Sequence, residues 1–481
     1  MRFHVVLRYI GMVLLFNAAF MLISALISYT NGIDSGYTPL MLSTLLTATL
    51  GLFPMIFVKS TRQINSKESY AIMIGAWIMS CVVGTFPYLM WGGEFTFTNA
   101  WFESVSGFTT TGSTILSNVE ALPKGLLFWR SSTHWLGGAG VVIFSLVILP
   151  SFGKARSTIT SVELSSLARD NYRYRTRKIV QIICMVYIGL TISSTLLFKV
   201  AGMDWFDAIN HSFSVSATGG FSTKNASLAY YNNVWIDLVA IFFMLIGGIH
   251  LGVIYATFTG KKNNMFRSEI ARYYLISTLI ACTIISLSLV ISGNYDSFGE
   301  AARYGFFQGI SMVSTTGFAT ADANLWPPIA LLCIILLGIQ CGCAGSTSGG
   351  LKTDRVILAG KLIKQNFIKQ QHPTAVMRTK IDGTTQDSES VNYAILYIVM
   401  FVMLVILGSI VNTACGMDIG TSFTAALTWT GNVGPAFGSM GGFDSFAALP
   451  EFAKLFGTLL MLLGRLEIFG LIQLFLMKWW I

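Results

Sequence analysis

The amino-acid sequence predicts an all-α polytopic membrane protein, in which four pseudo-symmetric repeats surround a central pore and two further transmembrane helices come first. Composition supports this class, because 53% of the residues are hydrophobic and only 11% are charged, whereas soluble domains carry about 25% charged residues. Several apolar stretches exceed the roughly 18 residues that a helix needs to cross a bilayer. Between them, a short glycine-containing segment recurs four times at nearly even spacing.

The four recurring segments each follow a short, partly polar stretch and precede a long apolar one. They read TTTG ending at Gly112, SATG ending at Gly219, STTG ending at Gly317 and TGNVG ending at Gly434. The preceding stretches are 98–109, 205–217, 299–314 and 419–430. These are too short to span a membrane, which predicts re-entrant helices. A lone glycine–threonine cluster is typical of an ordinary turn, but four in register indicate loops that line one hole, as in ion permeation.

The repeat pattern divides the chain into a leading pair of helices and four pore repeats. The predicted boundaries are 1–68 for the two leading helices, 69–178 for the first repeat, 179–272 for the second, 273–391 for the third and 392–481 for the fourth. Each repeat is expected to cross the membrane twice, which gives about ten full spans and four half-spans. We expect an uninterrupted span over 234–258 in the second repeat and a broken one over 327–363 in the third.

The formal charge of +9 comes from loops between the apolar stretches. Basic residues concentrate in 59–68, 153–178, 259–272 and 351–391, and the opposite loops hold few beyond Lys124 and Lys224. Loops rich in Lys and Arg stay on the cytoplasmic side of a membrane, and the repeat pattern puts these four loops on one side. The charge therefore indicates topology and not nucleic-acid binding.

Glycine and hydroxyl residues in the recurring segments fit the chemistry of a cation filter. Glycine can adopt positive φ and turn its carbonyl toward an axis, and backbone carbonyls can replace the hydration shell of a cation. Ligand sets made only of oxygen suit hard cations, and the carbonyl ends of the short helices would add negative potential at the centre. The candidate filter residues are Thr110, Thr111, Gly112, Ala217, Thr218, Gly219, Thr315, Thr316, Gly317, Asn432, Val433 and Gly434.

Further motifs make the sequence similar to a known family. Besides TTTGST (109–114), SATGGFST (216–223), STTGFAT (314–320) and GNVGPAFG (431–438), it contains WLGGAGVVI (135–143), CGCAGSTSGG (341–350) and GRLE (464–467). Over nearly its whole length the chain resembles the Trk/Ktr/HKT superfamily of cation transporters, and most of all the membrane subunits of bacterial Trk potassium-uptake systems. The resemblance implies that K⁺ is the transported ion and that one glycine per repeat forms the filter. The matching positions are Gly112, Gly219, Gly317 and Gly434. The fourth segment departs most from the family pattern.

The stretch 340–350 interrupts an apolar span with closely spaced glycines. Each glycine inside a helix costs about 1 kcal/mol, so the run predicts a break, and broken membrane helices commonly line a permeation path. A run of small residues is also typical of close helix packing. The resemblance implies a gating loop that partly blocks the pore, formed by Gly342, Cys343, Ala344, Gly345, Ser346, Thr347, Ser348 and Gly349.

Ionisable residues within apolar stretches are costly and tend to face the protein interior. Arg465 and Glu467 lie in the last such stretch. They either form a structural ion pair, or Arg465 faces the pore as an electrostatic barrier to cations, which the resemblance favours. Glu103 and Asp237 either attract cations at the pore mouth or stabilise a helix end.

Two classes of function remain open. The first is a channel-like cation transporter, and the fourfold pattern favours it. The second is a secondary transporter of Na⁺ or another small solute, with broken helices at its binding site. The sequence contains no nucleophile–base pattern, so we do not expect an enzyme. His134, His211 and His250 are expected to be packed, hydrogen-bonded side chains and not proton relays.

Partners are implied only by the resemblance. Besides membrane lipid, it implies a soluble TrkA-type ring that binds nucleotides on the cytoplasmic face, a homodimer, and a location in the bacterial cytoplasmic (inner) membrane. The basic loops either provide the landing surface for that ring or act as topology signals alone.

Overall fold

The computed structural model describes residues 1–59, 64–148, 176–260, 264–374, 378–438, 440 and 443–468. The leading helices and the first repeat contain α1 Phe3–Thr30, α2 Tyr37–Phe57, α3 Ser66–Trp91, α4 Phe97–Phe108 and α5 Lys124–Ile148. The second repeat contains α6 Thr176–Val200, α7 Trp205–Ala217, α8 Val234–Gly247 and α9 Leu251–Phe258. The third contains α10 Glu269–Ile291, α11 Phe298–Val313, α12 Pro328–Gln340 and α13 Thr353–Gln371. A hairpin of β1 Lys380–Ile381 and β2 Thr384–Thr385 precedes the fourth repeat, which contains α14 Ser388–Ala414, α15 Ile419–Gly431 and α16 Glu451–Arg465.

The predicted fold class is confirmed, since the described chain is an all-α polytopic membrane protein. The short helices α4, α7, α11 and α15 are 12, 13, 16 and 13 residues long, too short to span a bilayer. Each begins at a side chain that accepts a hydrogen bond from the backbone N–H three residues on, which stabilises a helix start. These caps are Thr96, Asp204, Ser297 and Asp418.

The repeats close into a ring through contacts between consecutive units. The second helix of each repeat packs against the short helix of the next: α5 on α7, α8 on α11, α12 on α15 and α16 on α4. The last of these contacts returns to the first repeat, so the four short helices surround one centre. The buried core has two parts: α1 to α5 share one with the fourth repeat, and the second and third repeats form the other.

The two leading helices pack closely where two glycines face each other. A side-chain carbon placed on Gly11 would lie 2.6 Å from the carbonyl oxygen of Gly51, and one placed on Gly51 would lie 2.8 Å from that of Gly11. Small residues allow membrane helices to approach in this way. Asn17 of α1 also donates to Ser80 Oγ of α3 at 2.8 Å, which attaches the leading pair to the first repeat.

By length and apolar composition, six helices of the described residues could cross a membrane, or seven if α8 and α9 count as one bent span. The prediction of an uninterrupted span over 234–258 is wrong, because α8 and α9 meet at an angle of 107°. The chain leaves the helix there to pair with another loop: Gly248 O accepts from the Cys343 N–H at 2.8 Å, and the Leu251 N–H donates to Gly345 O at 3.1 Å.

The break predicted in the third repeat is present. Helix α12 ends at Gln340 and α13 begins at Thr353, and the intervening backbone has positive φ at Cys341, Gly345, Gly350 and Lys352. The Thr353 N–H donates to Gly342 O at 2.9 Å, so the loop 341–350 folds back on the start of α13. The basic segment predicted within 153–178, except its last three residues, and the end of the fourth repeat beyond residue 468 lie outside the described residues.

Candidate functional site

The four short helices end in the same backbone turn. In each turn one residue adopts the left-handed backbone conformation, either directly after the helix or one residue later. These residues are Thr110 (φ 53°), Thr218 (52°), Thr315 (58°) and Asn432 (52°). The following N–H donates to a carbonyl five residues back: Thr111 to Ser106, Gly219 to Ser214, Thr316 to Ser311 and Val433 to Thr428, at 2.8–2.9 Å. This bond satisfies a carbonyl at a helix C-terminus that would otherwise be orphaned. Four turns of different sequence thus share one geometry.

The turns meet around one centre and leave room only for glycine. Two residues after each left-handed residue lies a glycine of positive φ: Gly112 at 83°, Gly220 at 85°, Gly317 at 78° and Gly434 at 107°. A side-chain carbon on each would collide with a carbonyl oxygen of the next repeat. The pairs are Gly112 with Gly219, Gly220 with Thr316, Gly317 with Val433 and Gly434 with Thr111. The pairs form a closed cycle, and the four positive-φ glycines line one cavity.

In the second repeat the glycine with this geometry lies one residue after the predicted filter glycine. Gly219 was the expected counterpart of Gly112, but Gly220 has the positive φ, lines the shared cavity and abuts the next repeat. Ala217 is the last residue of α7 and precedes the turn. The two adjacent glycines made the register ambiguous, and counting two residues on from Thr218, as from Thr110, gives the observed place. In the fourth repeat the glycine with this geometry is Gly434.

Hydrogen bonds link the turns of neighbouring repeats. The Asn432 side chain donates from Nδ2 to Thr111 Oγ1 and to Met461 O, both at 3.0 Å, and so joins the fourth turn to the first and to α16. Ser113 Oγ donates to Gly434 O at 2.8 Å. Sequence reasoning missed the side-chain role of Asn432, although its departure from threonine at this place was visible.

Glu103 and Asp237 are paired with arginines and do not act as free carboxylates. Glu103 is fully buried, and its carboxylate accepts a hydrogen bond from Arg130 Nε at 2.6 Å. It also accepts hydrogen bonds from the Thr114 hydroxyl and the Ile115 N–H, just after the first turn. Asp237 lies 2.7 Å from Arg303 of α11. Asp237 lies in the first turn of α8 and fits the helix-end alternative, whereas Glu103 lies in the middle of α4 and joins α5 to the segment after the first turn. Arg130, which the sequence analysis did not single out, is visible in the sequence as an arginine inside a long apolar stretch.

The loop 341–350 lies against the first residues of the third and fourth turns. The Gly349 N–H donates to Thr315 Oγ1 at 3.0 Å. A side-chain carbon on Gly349 would lie 2.6 Å from Gly431 O and 2.8 Å from Asn432 Cβ. Because the cavity lies at the glycine ends of the turns, the loop and the cavity are on opposite sides of the ring.

Arg465 connects this loop to the first repeat. Its guanidinium donates to Thr347 O and to Gly137 O of α5, each at 3.0 Å. The carboxylate of Glu467 forms an ion pair with Arg355, with Nη2 and Oε2 2.9 Å apart. Lys352 Nζ lies 3.8 Å from Glu467 Oε1. The positive charge of Arg465 therefore lies between the loop and α5.

Together these features define a class: a polytopic membrane protein in which four re-entrant helices bring backbone carbonyls to a common axis, with a helix-breaking loop on one side. The chain belongs to the TrkH family of cation transport proteins, whose family model matches residues 43–479. This finding confirms the resemblance seen in the sequence.

Individual relatives match along the whole chain. The Trk system potassium uptake protein TrkH of Salmonella typhimurium is 31% identical over 488 residues, with 100% of each chain covered. Trk system potassium uptake protein TrkG of Escherichia coli is 30% identical and covers 88% of this chain and 87% of its own length. The crystal structure of the potassium transporter TrkH from Vibrio parahaemolyticus superposes with a TM-score of 0.86 at 27% identity, covering 98% of each chain.

Proposed function

We propose that this protein takes up potassium ions across a bacterial cytoplasmic membrane, through the ring of four turns. The observation that carries the proposal is the closed cycle in which each positive-φ glycine faces a carbonyl of the next repeat. Relatives over the full length of the chain are named as potassium uptake proteins, which supports K⁺ as the substrate.

The ligands in this proposal are main-chain oxygens. Carbonyls can replace the water that a cation sheds, and oxygen ligands suit a hard ion such as K⁺. The residues before the four glycines, Thr111, Gly219, Thr316 and Val433, carry the carbonyls closest to the neighbouring repeats. The C-terminal ends of four helices add negative potential at the same centre.

The loop 341–350 and Arg465 act as the gate. The loop contacts the turns opposite the cavity, so an ion that leaves the ring on that side meets it. Opening requires that the bonds from Gly349 to Thr315 and from Arg465 to Thr347 break. The charge of Arg465 repels cations until the loop moves, since a low-dielectric site strengthens such repulsion.

A cytosolic regulatory subunit that binds nucleotides moves the loop, and the protein works as a homodimer. The relatives are named as parts of a Trk system, which supports a protein of several components. Helix α13, which begins directly after the loop, carries the exposed lysines Lys364 and Lys369. A partner bound there would pull on the loop through one continuous helix.

A secondary transporter of Na⁺ or another solute is the second candidate. The bent pair α8/α9 and the break between α12 and α13 favour it, because discontinuous helices line the binding sites of such transporters. The two candidates differ in whether transport needs a second gradient.

Flux in proteoliposomes separates the candidates. The purified protein should pass Rb⁺ and K⁺ down their gradients without a Na⁺ or proton gradient, and the reversal potential should follow K⁺ in K⁺/Na⁺ mixtures. Gly317→Ser should reduce this preference, because serine at this place collides with Val433 O. Gly299→Ser is the matched control, since a side-chain carbon there has nothing within 4 Å. Flux that requires a second gradient would support the secondary transporter.

A further inference from the structure

The second turn carries a glycine where the backbone does not demand one. Gly219 has the same place as Thr111, Thr316 and Val433, and its φ lies outside the left-handed region. A side chain is therefore compatible with its backbone, as it is in the other three turns. The absence of a side chain at this place needs another explanation.

The imidazole of His134 occupies the space beside Gly219. A side-chain carbon on Gly219 would collide with Nδ1 and would lie 2.6 Å from Cγ and 2.7 Å from Cε1 of His134. His134 belongs to α5 of the first repeat and is fully buried. The space that a threonine would fill is thus taken by a residue from the neighbouring repeat.

The same ring also binds the backbone beyond Gly219. Nδ1 accepts from the Phe221 N–H at 3.4 Å and lies 3.3 Å from Ser214 Oγ. The imidazole stacks on the Phe221 ring, with centroids 4.0 Å apart and planes inclined by 13°. His134 therefore contacts Gly219 and Phe221, the residues on either side of Gly220.

Arg130, one helical turn earlier in α5, supports the same segment. Its guanidinium carbon lies 3.5 Å from the Phe221 ring centroid, and Nη1 donates to Ser222 O at 2.9 Å. Glu103 holds the guanidinium in place. His134 and Arg130 of the first repeat therefore contact residues 219–222 of the second repeat from the same side.

The first and third turns are held by their own side chains. Thr111 Oγ1 lies 2.7 Å from Thr109 Oγ1, and Thr316 Oγ1 lies 2.8 Å from Ser314 Oγ. Gly219 has no side chain that could make such a bond. Within its own repeat, Ser214 Oγ donates to Phe221 O at 2.6 Å, but the space beside Gly219, whose carbonyl faces Gly112 of the first repeat, is filled by His134.

We propose that His134 is a positioning residue for ion selection: its ring replaces the missing side chain at Gly219 and sets where the Gly219 carbonyl lies in the filter. This role rests on the proposed function. Because the first and third turns carry hydroxyl supports of their own, the second turn differs from them in that its carbonyl position depends on this contact between the first and second repeats.

The proposal is tested by enlarging the side chain at position 219 and reducing the one at position 134, separately and together. Gly219→Thr alone should lower Rb⁺ flux roughly tenfold, because overpacking a filled site forces the backbone to move. His134→Ala alone should lower the K⁺ preference seen in reversal potentials. The double variant, whose second turn then reads Thr-Thr-Gly as in the first and third, should regain flux and preference relative to either single variant. Equal effects of Gly219→Thr in both backgrounds would overturn the proposal.

Two variants at position 134 test the proposal even if the Gly219→Thr protein does not fold. His134→Phe keeps the ring and its stacking, whereas His134→Asn keeps an acceptor near the Nδ1 position. We expect His134→Phe to retain more K⁺ preference than His134→Asn, since filling the space is the proposed role. Native reversal potentials in both variants would contradict a positioning role.

A matched control separates stability from selectivity. Asn17→Leu and His134→Leu each replace a fully buried polar side chain, and Asn17 lies between α1 and α3, away from the ring. Both should lower thermal stability in detergent, but only His134→Leu should shift the reversal potential. Gly317→Ser, which does not touch His134, tests the filter itself. If it shifts the potential while the His134 variants do not, the positioning role fails and the proposed function stands.

Discussion

The backbone N–H of Gly349 donates to Thr315 Oγ1 at 3.0 Å. One partner belongs to the helix-breaking loop and the other is the left-handed first residue of the third turn. The loop is therefore bonded directly to the ring and does not merely lie next to it. Movement of the loop must break this bond, which couples the state of the loop to the third turn.

Thr315→Val should weaken the closed loop. The substitution keeps the shape of the side chain but removes the acceptor, which leaves the Gly349 N–H buried without that partner at a cost of about 1–3 kcal/mol. Rb⁺ flux into proteoliposomes in the absence of any partner should rise. Thr218→Val is the comparison, because Thr218 Oγ1 donates to Ala217 O of its own helix, and its effect should be smaller. Lower flux from a well-folded Thr315→Val protein would contradict the gating role.

Arg465→Ala should raise cation flux, since it removes both a positive charge and the two bonds to Thr347 O and Gly137 O. Arg465→Lys separates these causes, because lysine keeps the charge but cannot reproduce the forked donor geometry of arginine. If the charge is the barrier, Arg465→Lys conducts like the parent. If the bonds close the loop, it conducts like Arg465→Ala. Currents at negative voltage measure the difference, and parental currents from Arg465→Ala would refute the assignment.

Glu467→Gln should destabilise the protein strongly. Arg355 is 1% exposed and its guanidinium lies 2.9 Å from Glu467. Removing one partner of a buried pair leaves a buried charge and costs about 3–5 kcal/mol. Glu269→Gln removes the more exposed contact with Lys361, for which we expect about 0–1 kcal/mol. Thermal unfolding in detergent compares the two, and similar losses would show that the Arg355 pair is not critical.

Gly11→Leu should separate the leading helices. The added side chain would overlap with Gly51 O and Pro54 Cγ, and overpacking of this kind costs about 1–3 kcal/mol. Gly189→Leu is the matched control in α6, since a side-chain carbon at that exposed glycine meets nothing within 4 Å. A melting temperature lowered by Gly11→Leu alone would support the close helix contact, and equal melting temperatures would contradict it.

Some features of the fold could be predicted from the sequence and one bend could not. The four short helices, the turns that follow them and the break after Gln340 were predicted, because helix length, apolar runs and glycine clusters are local properties. The bend between α8 and α9 was missed, since Gly247 and Gly248 alone do not demand it. It forms because Gly248 O and the Leu251 N–H find partners in the loop 341–350, which lies about a hundred residues further along the chain and is therefore invisible to local patterns.

The sequence by itself determined the class of protein and the four places where the chain turns back, because low charge, apolar length and repeated glycines act through local physical rules. Only the tertiary structure decided which of Gly219 and Gly220 has the positive φ, which acidic residues are paired, and which helix supports each turn. Those outcomes depend on carbonyls and side chains from different repeats coming within a few ångströms, such as His134 beside Gly219. Contacts between residues far apart in the chain arise from packing, and the spacing of residues does not encode them.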